Sequence, residues 1–119
     1  MNYTLMVYQT AADFAARSDP AKREANFARI PPYLKALTDA GVLVTAAGLQ
    51  PPETATTLKL RDGERLVQDG PYADTKEQLA SIFIINVPDL DTALAWAARY
   101  PVTPGGQIEV RPNLPPIPA

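Results

Sequence analysis

Two apolar segments place the strongest constraint on how this chain can fold. Tyr3–Gln9 (YTLMVYQ) carries apolar and aromatic residues on both alternating faces, and Leu79–Val87 (LASIFIINV) is the best strand candidate in the chain. A strand that is apolar on both faces is normally covered by other parts of the protein on both faces. We therefore predict that Tyr3–Gln9 is a buried first strand and that Leu79–Val87 lies centrally in the sheet.

The region after the first strand is predicted to be helical with an interruption. Asp19 suits the N-cap of a helix and Pro20 its first position, so a first helix is expected to run from there to Ile30. The pair Pro31-Pro32 then breaks or kinks it, because proline lacks a backbone N–H and disfavours helical geometry at the residue before it. Helical spacing resumes and ends at Gly41, a residue that suits a left-handed cap.

Two further strands and a hairpin are predicted in the middle of the chain. Val42–Leu49 has the composition of a second strand. Ala55–Leu60 alternates in polarity, and Arg65–Gln68 can return beside it, because Asp62-Gly63 supplies residues typical of a tight hairpin turn.

The last part of the chain completes the pattern. Asp89 is the expected N-cap of a second helix, and Gln107–Arg111 alternates as a last strand. The order strand, helix, strand, hairpin, strand, helix, strand predicts an α+β fold, a ferredoxin-like split βαβ unit with an inserted β-hairpin. We expect a single domain over residues 1–112 and a proline-rich tail over 113–119. Two helices cover only one face of such a sheet, so a face-to-face homodimer is expected to cover the other.

Composition narrows the chemistry by exclusion. The chain has no cysteine and no histidine, so a thiolate nucleophile, an imidazole base and a zinc site of the usual ligands are excluded. Acid–base chemistry must use Asp, Glu, Lys or Tyr. A formal charge of −2 gives no broad positive field, so nucleic acid is not an expected partner. No membrane span, export signal, cofactor motif or metal site is evident, and the expected location is cytoplasmic.

Several motifs, taken in order along the chain, resemble those of one protein family. They are Gly48-Leu49-Gln50-Pro51-Pro52, the run Asp69–Leu79 (DGPYADTKEQL), Val87-Pro88-Asp89 with the helix after it, Gly105-Gly106, and Ile108–Pro112 (IEVRP). Together they resemble the YCII-related family in its DGPF-type subgroup. The resemblance implies a dimeric α+β barrel, a fold shared with muconolactone isomerases and small monooxygenases, and it implies no settled activity.

The resemblance also implies two kinds of role. Genes of DGPF-type proteins often neighbour extracytoplasmic-function sigma factors, which implies an accessory or regulatory function, whereas other relatives carry a His–Asp pair proposed as an active site. This chain lacks histidine, so that pair cannot operate here. It also departs from the typical pattern at Ala80-Ser81, which replaces a glycine pair, and at Asn86 and Ala47, where relatives often have acidic residues.

Asp69 is the leading candidate for a catalytic residue. A carboxylate at a tight Gly-Pro turn can be partly desolvated and act as a general base. The structural alternative is that Asp69 hydrogen-bonds its own turn.

Six other residues are candidates for substrate binding. Thr75 and Lys76, followed by Glu77, offer a hydroxyl and charged groups near one loop, although local pairing explains them equally well. Glu109 and Arg111 share one face of the last strand, where they can pair with each other or with a polar ligand. Tyr8 and Tyr72 offer phenol groups, but aromatic residues beside strands usually pack.

Two functions follow as hypotheses. The first is a small-molecule-binding protein or cofactor-independent enzyme, with proton-transfer chemistry such as isomerisation, elimination or cyclisation of a small cyclic or carbonyl compound. The alternative is a non-catalytic accessory or regulatory protein associated with a sigma factor.

Overall fold

The computed structural model describes residues 1–118 and consists of two antiparallel sheets with helices on one side of the larger one. The strands are β1 (Asn2–Thr10), β2 (Leu43–Gly48), β3 (Thr56–Arg61), β4 (Glu64–Asp69), β5 (Glu77–Asn86) and β6 (Gln107–Pro112). The helices are α1 (Ala11–Ala16), α2 (Arg23–Ala28), α3 (Ile30–Asp39) and α4 (Leu90–Arg99), with a short 3₁₀ turn at Pro52–Thr54.

The larger sheet confirms the predicted α+β fold. Its strand order is β2-β5-β1-β6, and the pairs β1–β5, β1–β6 and β2–β5 are all antiparallel. One strand therefore separates β1 from β2, and another separates β5 from β6, which is the split βαβ arrangement of ferredoxin-like proteins. The predicted central position of β5 is confirmed. Within residues 1–118, no helix has the length and apolarity that a membrane crossing requires.

Alternation along the strands gives the larger sheet two different faces. Tyr3, Leu5 and Val7 of β1 point towards the helices and are buried, and they pack with residues of α3, β5 and α4. The residues between them point the other way, and because helices of the described chain lie only on the first face, they are covered less completely. We call this second side the open face; at its centre lie Thr4, Met6, Tyr8, Ile82 and Ile84.

An aromatic cluster joins the helices to the sheet. The ring of Tyr33 in α3 meets those of Phe83 and Tyr100 edge to face, at centroid distances of 5.4 and 5.3 Å. Such pairs add about 0.5–1.5 kcal/mol beyond the burial of area. The Tyr33 hydroxyl donates to the carbonyl of Trp96 at 2.9 Å, so its polar end is satisfied inside the core. Burial raises the pKa of this phenol to about 12.

The region before α3 corrects part of the sequence prediction. The helix expected from Asp19 to Ile30 is wrong at its start, because Asp19 caps only a turn and α2 begins at Arg23. A helix that was not predicted, α1, follows β1 directly. Its start is fixed by a capping box, in which the hydroxyl of Thr10 accepts from the Asp13 N–H and the Asp13 carboxylate accepts from the Thr10 N–H. The predicted break is confirmed, with Pro31-Pro32 in the first turn of α3.

Strands β3 and β4 form the predicted hairpin, which is separate from the larger sheet. Asp62 and Gly63 both have positive φ, 51° and 80°, as a two-residue hairpin turn requires. The side chains of Leu58, Leu60 and Val67 lie on one face of the hairpin and are mostly exposed. A two-stranded hairpin alone is marginally stable in water, so this apolar face needs a covering surface.

The loop before β6 is packed against the start of α1. A Cβ at Gly105 would lie 2.5 Å from Cγ2 of Thr10, whose hydroxyl is already used to cap α1. The Thr103 hydroxyl donates to the Asp13 carboxylate at 2.7 Å. Beyond β6, Asn113 still bonds to β1 through Thr4 and Asn2, whereas Ala119 of the predicted tail lies outside the described residues.

The Asp13 carboxylate should make stability depend on pH in the acid range. Burial tends to raise its pKa, but hydrogen bonds from Thr103 and Thr10 outweigh burial and lower it below the usual 3.8. Because the folded-state pKa lies below the unfolded one, this stabilisation is present above about pH 4 and is lost as the pH falls through the folded value. We expect the difference in unfolding free energy between wild type and Asp13→Asn to narrow below pH 4 in urea titrations. A difference in unfolding free energy that stays constant down to pH 2.5 would show that the Asp13 carboxylate does not stabilise the fold in this way.

Candidate functional site

A cavity of about 570 Å³ lies between the helices and the covered face of the larger sheet. Its floor comes from β1, β2 and β5, and its walls come from the segment between α1 and α3 and from Leu49–Pro51 after β2. We call it the helix–sheet cavity. Ligand sites usually measure about 300–1,000 Å³, so the volume suits a small organic molecule.

Most of the helix–sheet cavity is apolar. The aliphatic and aromatic residues that form its wall and mouth are Phe27, Ile30, Leu34, Ala46, Leu49 and Phe83. Phe27 and Leu49 are 49% and 40% exposed although both are large and apolar. Apolar side chains at the mouth of a cavity are the usual contacts for the body of an organic ligand.

Gln9 and Arg17 form one part of the polar lining. Gln9 is only 4% exposed, and its oxygen accepts from Nη2 of Arg17 at 3.3 Å. A guanidinium group can only donate, so the oxygen of the Gln9 amide is the atom that faces Arg17. The NH₂ group of Gln9 therefore points away from Arg17. Among residues 1–118 that NH₂ group has no hydrogen-bond partner. Arg17 also donates to the Leu49 carbonyl and lies 4.7 Å from the centre of the Phe14 ring.

Arg29 provides the second cation of the lining. Its Nε and Nη2 donate to the backbone and side-chain oxygens of Asn26 at 3.0 and 2.9 Å, and Nη1 donates to the Pro101 carbonyl. These bonds hold the guanidinium in one place. Arg17 and Arg29 are the charged residues of the lining, which in the described chain contains no carboxylate.

Arg17 is the cavity cation whose pKa is shifted. Burial lowers the pKa of Arg17 most strongly, Tyr100 opposes this by raising it, and the charge of Arg29 has a smaller lowering effect. Arg17 nevertheless stays protonated at neutral pH, as arginine does in proteins. In the described chain, ion pairs join Lys35 to Asp39 and Glu109 to Arg111, so neither cavity cation has an ionic partner. Asp13, the acid whose pKa Arg29 helps to lower, is already bonded to Thr10 and Thr103.

Some of the residues predicted from the sequence meet at a different place. Tyr8, Thr75 and Glu109 line a groove of about 320 Å³ beside the open face. The Tyr8 hydroxyl donates to Glu109 at 3.3 Å, and Arg111 lies 3.6 Å from the other oxygen of Glu109. The predicted alternative in which Glu109 and Arg111 pair with each other is therefore confirmed. Burial and the Glu109 charge raise the pKa of Tyr8.

The other predicted residues are separate from this group. Tyr72 is 81% exposed and lines a second groove, of about 400 Å³, which shares Leu49–Pro51 with the helix–sheet cavity. Asp69 is the last residue of β4 and is exposed. It does not line that groove, although its strand partner Thr56 does. Lys76 is exposed and lines neither the helix–sheet cavity nor either of the two grooves.

The residues of the helix–sheet cavity were not predicted from the sequence, although one signal was present. Gln9 continues the buried series Tyr3, Leu5, Val7, and a polar residue in such a series indicates a site that needs a partner. The sequence around Arg17 instead suggests a surface residue, because Asp13 lies four residues before it, the spacing of an ion pair on an exposed helix face. That acid instead bonds to Thr103, whose position depends on the tertiary fold.

The fold and the cavity define a small split-βαβ protein with a ligand-sized space between its helices and its sheet. The chain matches the YCII-related domain over residues 1–115. This protein therefore belongs to the YCII-related family.

One relative is an uncharacterised protein of Rhizobium meliloti (strain 1021). It is 44% identical to this chain over 78 residues, which cover 62% of this chain and 61% of the relative. The chain thus matches less than two thirds of that relative's length.

Proposed function

We propose that this protein binds a small organic molecule in the helix–sheet cavity. The observation that carries the proposal is an apolar space of about 570 Å³ that contains two arginines without ionic partners in the described chain and the free NH₂ group of Gln9. Cations without ionic partners and an unused amide donor beside an apolar wall form the kind of arrangement that binds and orients a ligand. We also propose that the protein is located in the cytoplasm and that it belongs to the DGPF-type subgroup of the family.

A homodimer is the second part of the proposal. The chain is flat, with extents of 47 × 46 × 20 Å, and its radius of gyration of 16.3 Å exceeds the value of about 13.5 Å that a compact protein of this length has. The open face and the apolar face of the hairpin are the surfaces that lack cover in the described chain. A second copy packed on the open face would cover it and thicken the molecule.

Proton-transfer chemistry is the finer proposal, and it involves Asp69. The lining of the helix–sheet cavity in the described chain has no carboxylate, so a base must come from outside it. Asp69 pairs with Thr56, which lines the groove that adjoins the cavity through Leu49–Pro51. It can act as the base only for a molecule that extends from the cavity into this groove. Binding alone is therefore favoured over catalysis, and the accessory role with a sigma factor rests on the family resemblance.

A ligand screen tests the binding proposal. A metabolite library that contains neutral, cationic and anionic compounds is screened by thermal shift against wild type and Ala46→Trp, whose indole occupies the cavity. We expect at least one compound to raise the Tm of wild type by several degrees and to have little effect on Ala46→Trp, because binding stabilises the folded state by about 2.7 kcal/mol at a hundred times Kd.

Ala95→Trp is the matched control, because Ala95 lies on the exposed side of α4 away from the cavity. It should keep the wild-type response. Compounds that stabilise wild type and Ala46→Trp equally would show that they bind elsewhere and would overturn the proposal.

A further inference from the structure

We infer that the molecule bound in the helix–sheet cavity is an organic monoanion, with a carboxylate head at Arg17 and Arg29 and an apolar body along α3 and β5. This inference rests on the proposed function and specifies its ligand class.

The charge of the cavity points to an anion. Arg17 and Arg29 both line the helix–sheet cavity, and neither has an ionic partner in the described chain. Two like charges beside a low-dielectric wall repel each other, and an anion between them removes that cost.

The hydrogen-bonding groups of the cavity also favour an acceptor. Arginine has five N–H donors, of which Arg17 uses two and Arg29 uses three within residues 1–118. The NH₂ group of Gln9 adds a donor that the described protein leaves unused. A carboxylate has two oxygens that only accept, and it pairs with guanidinium groups by charge-assisted hydrogen bonds.

The remainder of the lining sets the second feature of the ligand. Ile30, Leu34 and Phe83 form an apolar wall, and Phe27 is exposed at the mouth. A body without polar groups, aromatic or aliphatic, is required to cover these side chains. A dianionic phosphate ester fits less well, because most donors of Arg29 are already bound to Asn26 and Pro101.

A pair of probes that differ only in charge tests the inference. 1-Naphthaleneacetate and its neutral amide share the same apolar body, and calorimetric titration gives the Kd of each. In wild type we expect the acid to bind about 10- to 100-fold more tightly than the amide, as expected for a charge-assisted hydrogen bond. In Arg17→Gln this ratio should fall towards one while the Kd of the amide changes little, and Arg17→Lys should keep part of it.

Arg23→Gln is the matched control, since it removes one positive charge from the exposed surface of α2. It should keep the wild-type ratio. The comparison in wild type does not depend on whether a variant folds. If wild type binds the acid and the amide equally, the ligand class is wrong while the cavity still binds the apolar body. If neither probe binds and no library compound stabilises wild type, the proposed function itself is overturned, and the ligand class with it.

Discussion

Replacing Ile84 by arginine is expected to convert the proposed dimer into a monomer. Ile84 lies in the central strand β5, between Thr4 of β1 and Thr45 of β2, at the middle of the open face. In the proposed dimer this position is covered by the second copy. A guanidinium there would have to lose its hydration without an acidic partner, which costs several kcal/mol.

Sedimentation measures the effect directly. At micromolar concentration wild type should sediment at twice the 12.9 kDa chain mass, and Ile84→Arg at once that mass or as an aggregate of the exposed face. Leu94→Arg, on the partly exposed side of α4, should remain dimeric. A dimer that persists in Ile84→Arg would place the interface on another surface, with the hairpin the next one to test.

Replacing Leu37 by alanine is expected to lower the free energy of unfolding by about 2–5 kcal/mol. Leu37 is 0% exposed and packs in the core between α3 and the sheet. The truncated side chain leaves a cavity that the neighbouring aromatic rings of Tyr33 and Phe83 cannot easily fill, because they are held by edge-to-face contacts. Domains of this size have a total stability of about 5–15 kcal/mol, so a substantial part would be lost.

Urea unfolding at a fixed protein concentration gives the value, since dimerisation makes stability depend on concentration. Leu114→Ala removes the same atoms from a side chain that is 82% exposed, and its effect should stay within about 0.5 kcal/mol. Equal effects of the two substitutions would contradict the packing of α3 on the sheet. Because α3 also carries Ile30 and Leu34, loosening it should weaken ligand binding as well.

The elements that could be predicted from the sequence are those fixed by local signals. The apolar run Tyr3–Gln9 predicted β1, although the structure buries alternate residues of this strand fully and leaves the others only partly covered. The turn residues Asp62-Gly63 predicted the hairpin, and Asp89 caps α4 as expected, with its side chain accepting from the Thr92 N–H at 2.8 Å. Helix α1 was missed because it follows β1 without a break. The residue that caps it, Thr10, also ends the strand, and Asp13 of the capping box accepts a further hydrogen bond from Thr103 in a distant loop.

The candidate site was harder to predict, because its residues are brought together by tertiary structure. The motif-based candidates are scattered: Tyr8, Thr75 and Glu109 line one groove and Tyr72 lines another, while Lys76 lines neither. Asp69 belongs to the hairpin and not to the larger sheet. Gln9, Arg17 and Arg29 come from a strand, the end of a helix and a linker, and no short motif connects them. All three have hydrogen-bond donors without acidic partners in the described chain. This common feature can be recognised only when their contacts are known.

Mapping a bound probe by NMR tests most directly whether the helix–sheet cavity is the ligand site. On addition of 1-naphthaleneacetate to ¹⁵N-labelled protein, the largest shifts should appear at the amides of Leu34, Ala46 and Ser81. The amides of Thr75 and Glu109, in the groove beside the open face, should change little. Chemical-shift changes concentrated in that groove would contradict the proposed ligand site and would place it among the residues that the motifs indicate.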